Sequence, residues 1–133
     1  MNGSGELDAV VASNDQIAEG VCKALTEKGL IGKVLVSGQD AETSACKRIM
    51  TGEQTMTVYK YVESLANAAA NVAIALGHGA DIPYSQTTIN NGQIMVPAIM
   101  LPNVIQVTRE NMRMTVIADG FIDEKEVFGN SKL

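Results

Sequence analysis

The sequence predicts an α/β fold built on a parallel β-sheet flanked by helices. Three observations carry this prediction. Short runs rich in β-branched and aliphatic residues recur at residues 7–12, 33–37 and 54–59, and a stretch with helical spacing follows each of them. Glycines close the first two helical stretches, at Gly29 and Gly52, so the chain reads as strand, helix, strand, helix, strand. The run Val34, Leu35, Val36 lacks polar alternation, which is how a strand covered by helices on both faces reads.

Taken in order, residues 1–6 (MNGSGE) are polar and glycine-rich, and LDAVVA over residues 7–12 is the first strand. Ser13, Asn14 and Asp15 are each suited to cap the helix that follows. Ile17, Ala18, Val21, Cys22 and Leu25 form one apolar stripe on it. The second strand, over residues 33–37, must then run parallel to the first, with a right-handed crossover. Residues 40–51 make a second helix with Ala45, Cys46, Ile49 and Met50 inward, and residues 54–59 (QTMTVY) a third strand ending at Lys60. Residues 61–76 form the clearest helix, with Val62, Leu65, Ala66, Ala69, Ala73 and Leu76 along one stripe. Cys22 and Cys46 fall on apolar helix faces and are expected to be reduced and buried.

Beyond Pro83 the pattern changes. Asn91-Gly92, between residues 87–90 and 93–95, signals a hairpin. Pro97 and Pro102 interrupt an apolar extended stretch over residues 94–105 and exclude a central strand there. Thr108 is expected to cap a short helix over residues 109–118 with Met112, Val116 and Ile117 inward, and residues 121–133 to dock loosely.

The chain has 133 residues, 46% of them hydrophobic and 19% charged, enough for one domain with a real core. A net charge of −5 argues against nucleic acid as a partner. No apolar run is long enough for a membrane span, and no charged segment followed by an apolar one marks a signal peptide after Met1. His78, between Gly77 and Gly79, is far in sequence from other metal-ligand types, so neither metal nor cofactor is expected. No Ser-His or Cys-His pairing and no glycine-rich phosphate loop is visible, so the chain is not expected to be an enzyme.

The residues with chemical interest end the three strands: Asn14, Asp40 and Lys60. In open α/β sheets ligands sit beyond the carboxyl ends of the strands. Asparagine offers a donor and an acceptor, aspartate accepts twice and lysine donates three times, a set suited to a polyhydroxylated ligand. The competing reading is that these residues are caps and surface groups, Asp40 capping the helix after it. Both readings stand at this point.

The segments LDAVVASND, GKVLVSGQDA and QTMTVYK, with TTINNG, VPAIMLP and TRENMRMTVIADGF further on, closely resemble the type I periplasmic sugar-binding proteins of ABC transporters, the D-xylose-binding branch above all. The resemblance implies a bilobal, Rossmann-like periplasmic-binding-protein fold that closes on one monosaccharide, and it implies that Asn14, Asp40 and Lys60 hydrogen-bond sugar hydroxyls. It further implies an extracytoplasmic protein with a transporter permease as partner. Members of that family are much longer, so this sequence is expected to be a C-terminal portion with an incomplete site: residues 7–60 from the C-terminal lobe, and residues 61–133 a helix and crossing strands shared with the other lobe. The scarcity of aromatic residues, with no Trp, three Tyr and two Phe, agrees with the loss of ring-stacking groups. Apolar surfaces without their neighbours, on the helix over residues 61–76 and the stretch 94–105, imply a homo-oligomer. Two other classes share the fold: the effector-binding core of a sugar-responsive transcription regulator or sensor, and a small flavodoxin-like enzyme.

Overall fold

The computed structural model describes residues 7–83, 85, 87–99 and 104–129. These divide into two compact units, one of residues up to Tyr59 together with Ile105 onward, the other from Lys60 to Val104.

The first unit holds a four-stranded sheet of order β1-β2-β3-β6, made of β1 (Ala9–Val11), β2 (Leu35–Gln39), β3 (Met56–Lys60) and β6 (Val104–Val107), of which only the end residues Lys60 and Val104 fall to the second unit. The first three strands are parallel, with Ala9 opposite Leu35 and Ser37 opposite Met56. Helices α1 (Asp15–Glu27) and α2 (Thr43–Thr51) make the crossovers. α1 ends in a Schellman motif: the Leu30 amide donates to the Leu25 carbonyl at 2.8 Å and the Gly29 amide to Thr26 at 3.0 Å. Gly29 has φ +65°, which a glycine adopts without cost.

The sheet is covered on one face only among the described residues. Val36, Thr57 and Tyr59, on the face toward the helices, are at most 2% exposed, whereas Val11 and Leu35 on the opposite face are 88% and 58% exposed. The expectation that the second strand is buried on both faces is therefore corrected: the unbroken apolar run serves a core on one side and an uncovered apolar face on the other. The core is built from Ala12, Ala18, Cys22, Leu25, Val34 and Val36, with Val10, Val21 and Ile31 packed against it. Ile17 falls off the inner stripe of α1 and is exposed. Ala45, Cys46 and Ile49 line the inner side of α2 as expected, and Met50 lies at its margin.

The C-terminal segment departs from expectation in two ways. In place of a helix over residues 109–118 there is a 3₁₀ turn at Met112–Met114 followed by further turns. Thr115 donates its hydroxyl back to the Asn111 carbonyl at 2.8 Å, and the β-branched run Thr115, Val116, Ile117 disfavours a regular helix. Thr108 does not cap it; its amide donates to the Asn111 side chain at 2.8 Å. Met112 and Val116 are nonetheless fully buried, as their spacing predicts. Residues 121–129 also make more specific contacts than expected, although only Ile122 of them is buried. Ile122 is buried, the Phe121 ring lies 4.8 Å from that of Tyr59, and α4 (Glu124–Phe128) packs on α2. Arg113 ties the two parts of this segment together, with Nε 2.8 Å from Glu124 and its guanidinium 4.1 Å above the Phe128 ring.

The second unit holds α3 (Val62–Gly77) and a hairpin of β4 (Thr87–Asn90) and β5 (Met95–Ala98). The hairpin is antiparallel, with Asn90 opposite Met95 and Thr87 opposite Ala98. Its Asn91-Gly92 turn is held by the Asn91 side chain, which accepts from the Gln93 and Ile94 amides at 3.0 Å each. Pro97 sits within β5, tolerated because β5 is an edge strand among the described residues. No residue of α3 is buried. Its most covered side chains, Ala68, Val72 and Ala75, do not follow the stripe through Ala66 and Ala73 that the sequence suggested. No helix among the described residues is long and apolar enough to cross a membrane.

The two thiols give a direct check of the first unit. Cys46 is fully buried and Cys22 nearly so. Burial pushes the Cys46 thiol up to about 12, and burial likewise raises that of Cys22. Labelling at pH 8 should be slow for both in the native protein and fast in denaturant, since the thiolate is the reactive form. Because the raised value belongs to the folded state, the stabilisation is complete below the ordinary thiol range. It should fade as pH rises from about 9 toward 12, read as a falling urea midpoint. Rapid native labelling of Cys46 would contradict the packing described here.

Candidate functional site

The three polar residues singled out in the sequence lie at the carboxyl ends of three neighbouring parallel strands. Asn14 precedes the first residue of α1, Asp40 follows the last residue of β2, and Lys60 is the last residue of β3. Parallel pairing puts these strand ends along one edge of the sheet. Asp40 is exposed, and Asn14 and Lys60 are half-buried.

Asn14 does cap its helix: its Oδ1 accepts from the Ile17 amide at 2.9 Å, which leaves the amide NH₂ as its outward chemistry. Asp40 does not occupy the equivalent position. The N-cap of α2 is Glu42, two residues further on, and its own side chain makes no capping bond. Asp40 and Ala41 instead take left-handed backbone conformations, with φ of +96° and +52°. For alanine this region is sterically costly, and aspartate tolerates it only somewhat better.

A buried polar cluster underlies this turn. Asp15 is fully buried, and its carboxyl accepts three hydrogen bonds. Gln54 Nε2 donates to Oδ1 at 2.9 Å; Thr57 Oγ1 and the Glu42 amide both donate to Oδ2 at 2.9 Å. Thr57 Oγ1 in turn accepts from the Ala41 amide at 3.2 Å, and the Asp40 amide donates to the Val58 carbonyl at 2.8 Å. Arg48 closes the network: Nη2 donates to the Asp15 carbonyl oxygen at 3.0 Å and Nε to Gln54 Oε1 at 3.1 Å. This fixes the Gln54 amide orientation, since its oxygen meets the guanidinium and its nitrogen meets Asp15 and, at 3.1 Å, the Met56 carbonyl. No buried side-chain N or O lacks a partner among the described residues.

Thr57, Gln54 and Arg48 were not singled out in the sequence, and Asp15 only as one of three possible caps of the first helix. One signal was there for Asp15: it stands three, seven and ten residues before Ala18, Cys22 and Leu25, in register with the buried stripe. A carboxylate on that stripe had to be buried and therefore satisfied. Tyr59, on the same covered sheet face, is buried with its hydroxyl donating to the Asp119 carboxyl. In the second unit, an apolar groove is lined by Leu65, Ala68, Ala69, Val72, Ile82, Pro97 and Ile99. It offers no polar side chain to a sugar. Among the described residues no group of His, Cys, Asp and Glu is arranged to hold a metal.

A parallel sheet flanked by helices, with polar residues along its carboxyl edge, is the architecture of the open α/β class, in which ligands sit beyond the strand ends. The description of the periplasmic binding protein domain matches residues 1–81, and the chain belongs to that family. It is 50% identical over 124 residues to the D-xylose-binding periplasmic protein of Escherichia coli, covering 93% of this chain and 37% of that protein. It is 48% identical to the D-xylose-binding periplasmic protein of Haemophilus influenzae over 92% of this chain and 36% of that one. Among solved structures, a carbohydrate transporter solute-binding protein from Chloroflexus aurantiacus in complex with D-glucose superposes with a TM-score of 0.80 at 34% identity, over 90% of this chain and 35% of its own. The chain thus spans little more than a third of the length of the curated relatives it matches.

Two glycines of the first unit should respond oppositely to the same substitution. A Cβ at Gly38 would stand 2.0 Å from Asp15 Oδ1 and 2.7 Å from Gln54 Nε2, whereas one at Gly20 meets nothing within 4 Å. Gly38→Ala is expected to cost about 2–5 kcal/mol by displacing a bonded carboxylate from its donors. Gly20→Ala, inside α1, is expected to stabilise by about 0.5–1 kcal/mol. Urea denaturation of the two variants measures both. A Gly38→Ala protein as stable as the parent would mean that Asp15 lies elsewhere.

Proposed function

We propose that this chain is part of the monosaccharide-binding component of an ABC sugar transporter, with a xylose-like sugar as ligand and Asn14, Asp40 and Lys60 as its hydroxyl-binding residues. The observation that carries this reading is the alignment of these three residues at one sheet edge in a chain half identical to a D-xylose-binding periplasmic protein. An amide, a carboxylate and an ammonium supply both donors and acceptors, as a sugar hydroxyl requires. The periplasmic relatives favour transport over a regulator core or an enzyme, and with it an extracytoplasmic location and a permease as partner.

We read the two compact units as portions of two lobes, the chain passing from one to the other at Lys60 and returning at Ile105. A monosaccharide is held tightly only when enclosed, so this chain alone should bind D-xylose no better than millimolar. In the full-length protein that carries the segment, Asp40→Ala should weaken D-xylose by about one to two decades, the worth of a charge-assisted hydrogen bond in a closed cleft. Cys46→Ala, away from the strand ends, should change affinity far less. Isothermal titration calorimetry decides both. Micromolar affinity in the isolated chain overturns the incomplete site, and unchanged affinity in Asp40→Ala removes Asp40 from it.

The same reading extends to self-association. Leu65, Ile74, Leu76, Ile94 and Met95 of the second unit are all close to half exposed or more, as are Val11 and Leu35 of the open sheet face. Apolar surface of this extent, with β1 at the edge of the sheet among the described residues, favours pairing with a second copy. Light scattering over a dilution series should show a dimer or larger species. A 14.1 kDa monomer at every concentration would refute it.

A further inference from the structure

We propose that Asp15 and Thr57 are positioning residues for Asp40, a role that rests on the ligand-binding reading above. The turn after β2 is held in an unfavourable backbone conformation at two successive non-glycine residues, Asp40 at φ +96° and Ala41 at φ +52°. Each of its amides is tied down. Asp40 donates to the Val58 carbonyl, Ala41 to Thr57 Oγ1 and Glu42 to Asp15 Oδ2, at 2.8, 3.2 and 2.9 Å. The Thr57 hydroxyl donates onward to that same Oδ2 at 2.9 Å, so one carboxylate oxygen fixes Glu42 directly and Ala41 through Thr57.

The burial pattern sets support apart from tip. Asp15, Ala41, Thr57 and Gln54 are buried, and Asp40 is exposed. A carboxylate retained in a strained, rigidly supported position is the signature of a group whose direction matters. The same support reaches the start of α2: Asp15, brought from α1, accepts from the amide of its N-cap residue, Glu42. Asp15 is also the neighbour of Asn14, so one buried residue registers two of the three strand ends.

The test pairs a backbone readout with an affinity readout. Three-bond HN–Hα couplings at residues 40 and 41, measured by NMR on this chain, report the left-handed turn. D-xylose affinity is measured by calorimetry in the full-length protein. Thr57→Val keeps the shape and removes the hydroxyl; Thr57→Ser keeps the hydroxyl. Thr57→Val and Asp15→Asn should release the left-handed couplings and weaken D-xylose by about tenfold, and Thr57→Ser should restore both to near parental values. Parental couplings in Thr57→Val overturn the proposal. So does a relaxed turn with unchanged affinity, when Asp40→Ala in the same protein loses affinity. If Asp40→Ala also leaves affinity unchanged, the ligand-binding reading itself fails, and the positioning role with it.

Discussion

The carboxyl of Asp15 is the point at which the first unit is tied together. It sits where α1 begins, and its hydrogen bonds reach the start of α2, the middle of β3 and, through Gln54, the guanidinium of Arg48. Removing an isolated carboxylate from water costs many kcal/mol. Here the cost is offset by three donors at 2.9 Å and by Arg48 close behind. Such a network adds little net stability compared with an apolar core of the same volume, but it accepts only one arrangement of the elements that supply its donors. Gly38 belongs to the same constraint, because the carboxylate occupies the space where its side chain would be.

Everything at the carboxyl edge of the sheet depends on that arrangement. β2 ends, the chain turns through two left-handed residues, and α2 begins with an amide that its own N-cap side chain does not satisfy. The polar cluster satisfies the turn from beneath, and the apolar stripes of α1 and α2 hold the cluster against the sheet. The division of labour is physical: burial supplies the stabilising energy, without direction, and the hydrogen bonds supply direction. The uncovered face of the sheet and the bare α3 show the other side of this economy. Among the described residues, Val11 and Leu35 stay exposed on the open sheet face and no residue of α3 is buried.

The strand ends were legible in the sequence because strands and helices alternate at ordinary lengths, and the parallel pairing then picks out the residues at their carboxyl ends. Asn14, Asp40 and Lys60 needed no tertiary information to be singled out. Deciding which of them caps its helix did. Asn14 proves to cap its helix, whereas Asp40 stands ahead of the N-cap on a strained turn. The supporting residues were not legible in the same way. Thr57 and Gln54 are donors brought to Asp15 from 42 and 39 residues away, and Arg48 reaches it from 33. Only the placement of Asp15 on the apolar stripe of α1 hinted that a buried partner was required.

Local sequence, then, settled what short-range physics settles. Gly29 ended a helix because glycine takes φ +65° freely, Asn91-Gly92 turned a hairpin, and the stripes of α1 and α2 chose their inner faces through the 3.6-residue period. Tertiary structure decided what depends on a neighbour distant in the chain. It left the second strand covered on one side, because apolar composition does not record how many layers are present to cover it. It broke the 109–118 segment into turns, where Thr115 bonds back to Asn111 while Met112 and Val116 fill the core. It also docked residues 121–129, whose mixed charges conceal contacts with Tyr59 and α2. A pattern along the chain fixes a periodicity and a turn; it cannot fix which distant donor meets a buried carboxylate, since that depends on the geometry of three elements packed together.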